Sequence, residues 1–200
     1  MIIYLASYNQ NKLREFKETI SDSSIEIKIS DKYIELKETG KTFLENSTIK
    51  ALTISKFVNE FVVADDSGLV VSALNGAPGL YSARYAGENA SNQDKINKLL
   101  DEMKDVSKAD RKAYFVCSLV LVKNSQIIFN TEEKCYGEIA LESKGSYGFG
   151  FDPVFYIPEF NKTMAELEPE IKNQISHRGK AIKKLNEFLM KQNQSFLREM

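Results

Sequence analysis

Two adjacent carboxylates, Asp65 and Asp66, follow directly on the apolar run Phe61-Val62-Val63-Ala64 and precede Ser67-Gly68. The apolar run reads as a buried strand, which would leave both charges at its carboxyl end, where an open α/β sheet usually presents its ligand site. Burying either charge without a partner is costly, so the segment constrains whatever surrounds it. Asp-Ser-Gly is also ordinary turn chemistry, and taken alone the segment leaves a turn and a site both open.

The 200 residues suit one domain spanning 1–200, with room for two lobes and a sizeable core. With 42% hydrophobic and 28% charged residues the composition is that of a soluble globular protein, and no apolar stretch is long enough for a bilayer, so no membrane partner is expected. The start Met1-Ile2-Ile3-Tyr4-Leu5 lacks the basic region of a signal peptide, which predicts a cytoplasmic protein. Basic and acidic residues number 27 and 28, a balance that gives no general attraction to a polyanion and predicts no nucleic-acid partner. Lys180, Lys183 and Lys184 read as a solvated helix face. Cys117 and Cys135 lack the spacing of a zinc site and read as plain thiols.

Strand-like and helix-like stretches alternate along the chain. Residues 2–6 read as a strand, Leu13, Phe16 and Ile20 recur at helical spacing, and Ile25, Ile27 and Ile29 alternate as a half-buried strand. Thr42 with Glu45 opens a helix running toward Asn59, and Ser91 with Asp94 opens another reaching about Met103. Residues 112–122 and 126–136 read as a hairpin about Lys123-Asn124-Ser125. Gly145 to Pro153 is a glycine-aromatic loop, followed by closing helical turns. The order predicts an α/β protein with a mixed sheet.

Several groups could carry chemistry. Ser7, Asn9 and Lys12 lie where the first strand meets the first helix, a junction suited to phosphate oxygens, although Ser7 or Asn9 could equally cap the helix. Gly40-Lys41-Thr42 imitates the end of a P-loop, but Glu35 stands where its first glycine belongs. Gly148-Phe149-Gly150 lacks the third glycine of a dinucleotide fingerprint; its aromatics and Asp152 suit stacking on a base and accepting a hydrogen bond from it, with core packing the alternative for Phe149 and Phe151. Glu38 and Asp66 are candidate Mg²⁺ ligands, since that ion takes a few carboxylates together with substrate phosphates. Lys172, His177 and Arg178 form a cationic corner or, alternatively, a structural histidine and surface charges.

In order along the chain, the segments Ser7-x-Asn9-x-x-Lys12, Glu38-Thr39-Gly40-x-Thr42-Phe43-x-Glu45-Asn46 with Lys50-Ala51, Ala64-Asp65-Asp66-Ser67-Gly68-Leu69, Gly76-Ala77-Pro78-Gly79-x-Tyr81-Ser82-Ala83-Arg84-Tyr85, Gly148 to Pro153 and Ile175-Ser176-His177-Arg178-Gly179 resemble the inosine triphosphate pyrophosphatase family. The resemblance implies an elongated, two-lobed α/β fold around a twisted mixed β-sheet with helices on its faces, and a nucleotide cleft between the lobes. It implies Mg²⁺-dependent hydrolysis of ITP, dITP and XTP to monophosphate and pyrophosphate, and a homodimer. Carried over by position, Ser7, Tyr8, Asn9, Gln10, Asn11 and Lys12 would hold the triphosphate, with Lys50 and Lys172 on further phosphate oxygens. Glu38 and Asp66 would hold the metal, Asp66 would also activate water, and Ser67 would touch substrate. Phe149, Gly150, Phe151, Asp152, His177 and Arg178 would form the base pocket, where a cationic donor such as Arg178 favours a purine 6-carbonyl over the amino group of adenine. Tyr8 and Tyr147 stand where the family often has glycine. The competing readings are a related pyrophosphatase for another modified nucleotide, a non-catalytic nucleotide sensor and an RNA-binding protein.

Overall fold

A computed structural model describes residues 1–30 and 34–198 of the chain. In chain order it contains β1 (Ile2–Leu5), α1 (Gln10–Thr19), β2 (Glu26–Ile29), α2 (Phe43–Ser55), β3 (Phe61–Val71), α3 (Asn92–Glu102), β4 (Lys112–Lys123), β5 (Gln126–Ile139), β6 (Phe155–Ile157), β7 (Lys162–Thr163), α4 (Pro169–Ile175) and α5 (His177–Arg198). The strands form one seven-stranded sheet in the order β2-β1-β3-β4-β5-β6-β7. β1 runs parallel to β2 and to β3, the arrangement that helical crossovers such as α1 permit, whereas β6 is antiparallel to β5 and β7. The mixed α/β sheet is the fold class expected from the sequence.

Local chemistry sets most element ends. Asn9 caps α1, Thr42 caps α2 by accepting from the Glu45 amide, and Ser91 forms a reciprocal capping box with Asp94 at α3. Asn124 and Ser125 both have positive φ, 51° and 58°, as a two-residue turn between β4 and β5 requires. Two expectations are corrected. α2 stops at Ser55 instead of running toward Asn59, because the Phe57 amide bonds back to the Ile54 carbonyl and tightens the last turn before β3. β3 does not end at Ala64 but continues through Asp65-Asp66-Ser67-Gly68 to Val71, so the carboxylates lie in mid-strand, neither at a strand end nor in a turn.

The chain divides into two compact units: one comprises Met1–Asp66, Cys117–Glu133 and the chain from Arg178 on; the other comprises Ser67–Val116 and Lys134–His177. In the first, Ile3, Leu5, Phe16, Val63, Cys117, Leu119 and Leu121 pack with Ala181, Ile182 and Leu185 of α5. A separate cluster there joins Ala6, Val62, Ala64, Val120 and Val122 to Ala51 and Ile54 of α2. The second unit has its own core, in which Leu69, Val71, Leu99, Met103 and Phe115 surround Phe155 and Met164. Phe155 is fully buried and its ring centroid lies 4.5 Å from that of Phe115. Phe155→Ala should therefore cost about 3–5 kcal/mol in urea unfolding through lost contact and a residual cavity. Phe57→Ala, at a side chain 62% exposed, should stay within about 0.5 kcal/mol of the parent.

Candidate active site

β3 can carry Asp65 in its buried interior because two cations converge on one of its oxygens. Lys12 Nζ of α1 and Arg178 Nε of α5 each stand 3.0 Å from Asp65 Oδ2. Arg178 Nη1 donates in turn to Glu15 Oε2 at 2.6 Å. Lys12 and Glu15 are three residues apart on α1 and therefore share a face. Burial alone would raise an acid and lower an amine. At Asp65 that tendency is overcome by Lys12 and Arg178, which hold the carboxyl well below the usual range. At Lys12 burial prevails over the attraction of Asp65 and Asp66, with Lys50 and Arg178 adding repulsion, so its pKa falls.

Asp66 belongs to a second cluster built on α2. Lys50 Nζ donates to Asp66 Oδ1 at 2.9 Å and to Glu38 Oε1 at 2.6 Å, and Asn46 Nδ2 donates to Asp66 Oδ2 at 3.2 Å. Asn46 is itself fixed, its Oδ1 accepting from the Gly40 amide at 2.8 Å. Gly40 is needed for this approach, since a Cβ there would lie 2.6 Å from that of Glu45; the P-loop imitation is thus a helix-capping segment. Burial raises the pKa of Asp66, helped by Glu38 and opposed by Lys50. Glu38 moves down, because Lys50 outweighs its burial. Lys50 moves up, its burial outweighed by Asp66 and Glu38.

Glu38 and Asp66 share one ammonium, so a single cation can reach both. Among the described residues no group of three or more His, Cys, Asp or Glu forms a metal cage. A pair of carboxylates fits Mg²⁺, which is held through one or two carboxylates plus phosphate oxygens, better than it fits a metal that needs a full protein cage.

In the proposed phosphate segment, the capping alternative is realised. Asn9 Oδ1 accepts from the Asn11 and Lys12 amides at 2.9 and 3.3 Å, and Ser7 Oγ accepts from the Asn9 amide. Gln10 is exposed and Asn11 half-buried in the first turn of α1. The Tyr8 hydroxyl is tied to Ile34, accepting from its amide at 2.6 Å.

The remaining expected site residues belong to the second unit, except Arg178. Ser67 is half-buried in β3. Asp152 Oδ2 accepts from the Phe149 amide at 2.8 Å and from Lys172 Nζ at 2.7 Å, while Lys172 Nζ stands 5.0 Å from the Phe149 ring centroid. Gly148 and Gly150, at φ +76° and +63°, allow the loop to fold over this ion pair, and a Cβ at Gly148 would come within 2.0 Å of Asp152 Oδ2. Phe151 is core, packed edge-on to Tyr85. His177 opens α5 and stacks on Phe115 with centroids 4.7 Å apart. The reading of Arg178 as a surface charge is overturned by its burial at 3% exposure, and Lys172, buried to 5%, is likewise no surface lysine. Sequence reasoning missed Glu15 and Asn46. Glu15 lies off the apolar stripe of Leu13, Phe16 and Ile20, so periodicity gave no signal for its burial.

The fold and this site define an α/β protein with a mixed sheet and buried carboxylate–ammonium clusters on its third strand. The sequence matches the Ham1 family over residues 3–188, and the chain belongs to that family. A dITP/XTP pyrophosphatase of Bacillus subtilis is 44% identical over 188 residues, covering 92% of this chain and 95% of the relative. One of Vibrio parahaemolyticus is 47% identical over 187 residues, covering 92% and 94%. The Ham1 protein structure from Coxiella burnetii superimposes with a TM-score of 0.85 at 42% identity, covering 96% of this chain and 99% of that one.

Removing one partner of a buried ion pair leaves an uncompensated charge. Arg178→Ala removes one of the two cations on Asp65 and the ion pair to Glu15, and should cost about 3–5 kcal/mol in chemical denaturation. Cys117 Sγ lies 4.0 Å from Asp65 Oδ2, and burial first, then that carboxylate, push its thiol far above the usual value. Iodoacetamide at mildly alkaline pH should therefore leave Cys117 unmodified in the native protein and alkylate it in urea, as read by peptide mass mapping.

Proposed function

We propose that this chain is a nucleoside triphosphate pyrophosphatase, a hydrolase of acid anhydrides, that converts dITP, XTP and ITP to monophosphate and pyrophosphate and so removes deaminated purines from the nucleotide pool. The observation that carries this reading is the Glu38–Lys50–Asp66 cluster, centred on a buried ammonium, in a member of the Ham1 family. The names of the relatives support dITP and XTP as substrates; ITP follows from sharing the 6-carbonyl of those purines.

Asp66 is the proton acceptor in this proposal. Burial raises its pKa, and Lys50 and Asn46 each donate to one of its oxygens, which fixes the carboxylate in place. As the oxygen of water bonds to the α-phosphorus, its proton passes to Asp66 and the bond to the pyrophosphate oxygen breaks. Lys12 and Lys50 supply buried positive charge to a polyanion. Glu38 and Asp66 would hold Mg²⁺, which when bound neutralises phosphate charge as a Lewis acid. A cytoplasmic homodimer belongs to the same proposal through the family resemblance, and light scattering of the purified protein tests the dimer.

The test is turnover of ITP, XTP, dITP, GTP, ATP and dUTP with Mg²⁺, with products identified. Monophosphate and pyrophosphate from the first three support the proposal; tight binding without turnover would replace it with a nucleotide sensor. Asp66→Asn should reduce turnover by at least ~10²-fold, the lower end for a general base, in a protein that still unfolds cooperatively. Near-normal turnover by that folded variant would remove Asp66 from the mechanism.

A further inference from the structure

Asp65 has no part in the chemistry derived above, yet its carboxylate is completely buried beside the residue that does. Its Oδ2 receives Lys12 from α1 and Arg178 from α5, and Lys12 Nζ also lies 3.4 Å from the Asp65 carbonyl oxygen. Arg178 has a second carboxylate in Glu15, whereas Asp65 is the one ion-pair partner of Lys12 among the described residues. The Lys12 side chain is only 13% exposed, so its four-carbon stem has little freedom and its ammonium is aimed by what it bonds.

From this geometry we propose that Asp65 is a positioning residue for anion binding: it orients Lys12 toward the phosphates, and its bond to Arg178 anchors it to the start of α5. The inference rests on the pyrophosphatase reading, in which Lys12 meets the triphosphate. It has a consequence opposite in sign to simple electrostatics. Taking a negative charge out of an anion site should tighten anion binding by Coulomb attraction alone. If Asp65 works by orienting Lys12, neutralising it loosens binding instead.

The probe is inorganic tripolyphosphate, titrated calorimetrically into the full chain and into Asp65→Asn, Lys12→Met and the double variant. Wild type should bind, and Asp65→Asn should weaken binding by at least ~10-fold, as for loss of one charge-assisted hydrogen bond. The double variant should match Lys12→Met within about twofold, because both changes remove one coupled element. With dITP as substrate, KM should rise in Asp65→Asn more than kcat falls, a split that a general loss of structure would not give. Unchanged or tighter tripolyphosphate binding by Asp65→Asn, losses that multiply in the double variant, or no binding by wild type would overturn the proposal. Should Asp65→Asn fail to fold, the double variant, which lacks the stranded lysine, is compared with Lys12→Met: equal affinity supports the coupling and weaker affinity refutes it. Asp65-dependent tripolyphosphate binding without nucleotide turnover would keep the coupling and sink the pyrophosphatase reading. Turnover of XTP by a wild type whose tripolyphosphate affinity is indifferent to Asp65 would do the reverse.

Discussion

Two adjacent carboxylates in the interior of one β-strand are the constraint on which the first unit depends. A buried carboxylate without compensation would be neutralised or would unfold its surroundings. Here Lys12, Arg178 and Lys50 reach β3 from three different helices. Each helix is held by an apolar face of its own: Phe16 on α1, Ala51 and Ile54 on α2, Ala181 and Leu185 on α5. The hydrophobic core thus delivers the cations, and the cations allow the strand to stay charged.

Compensation of this kind is fixed in space before any ligand arrives. Asn46 and Gly40 brace Asp66, and Glu15 braces Arg178, so these polar groups are already oriented. In the second unit the Asp152–Lys172 pair and the Phe149 amide serve the same end, giving an otherwise glycine-rich loop one shape. Charge fixed in this way needs no reorganisation when an anion binds.

The mixed sheet, the capped helices and the β4–β5 turn were legible in the sequence because each has a local cause: a period of apolar residues, a Thr or Ser three residues before an acid, an Asn-Ser pair. The continuation of β3 through Asp65 to Gly68 was not, since turn-forming residue types there are overruled by partners far away in sequence. For the same reason Lys172 and Arg178 read as surface charges until Asp152, Glu15 and Asp65 were placed beside them. The family resemblance pointed to Glu38, Lys50 and Asp66; only the fold could bring both carboxylates onto the Lys50 ammonium.

Neighbouring residues of a strand project to opposite sides of its sheet. Asp65 accordingly follows Val63 to the side of α1 and α5, and Asp66 follows Val62 and Ala64 to the side of α2. The sheet is therefore a partition, with Asp65 turned toward Lys12 and Arg178 on one side and Asp66 turned toward Lys50 on the other. Its alignment, set by Leu5 opposite Val63, decides which is which. An insertion or deletion of one residue between Val62 and Asp65 would exchange the two, turning Asp66 to the side of Arg178 and Lys12 and Asp65 to the side of Lys50. The number of residues in this strand is thereby a physical constraint of its own, separate from their identity.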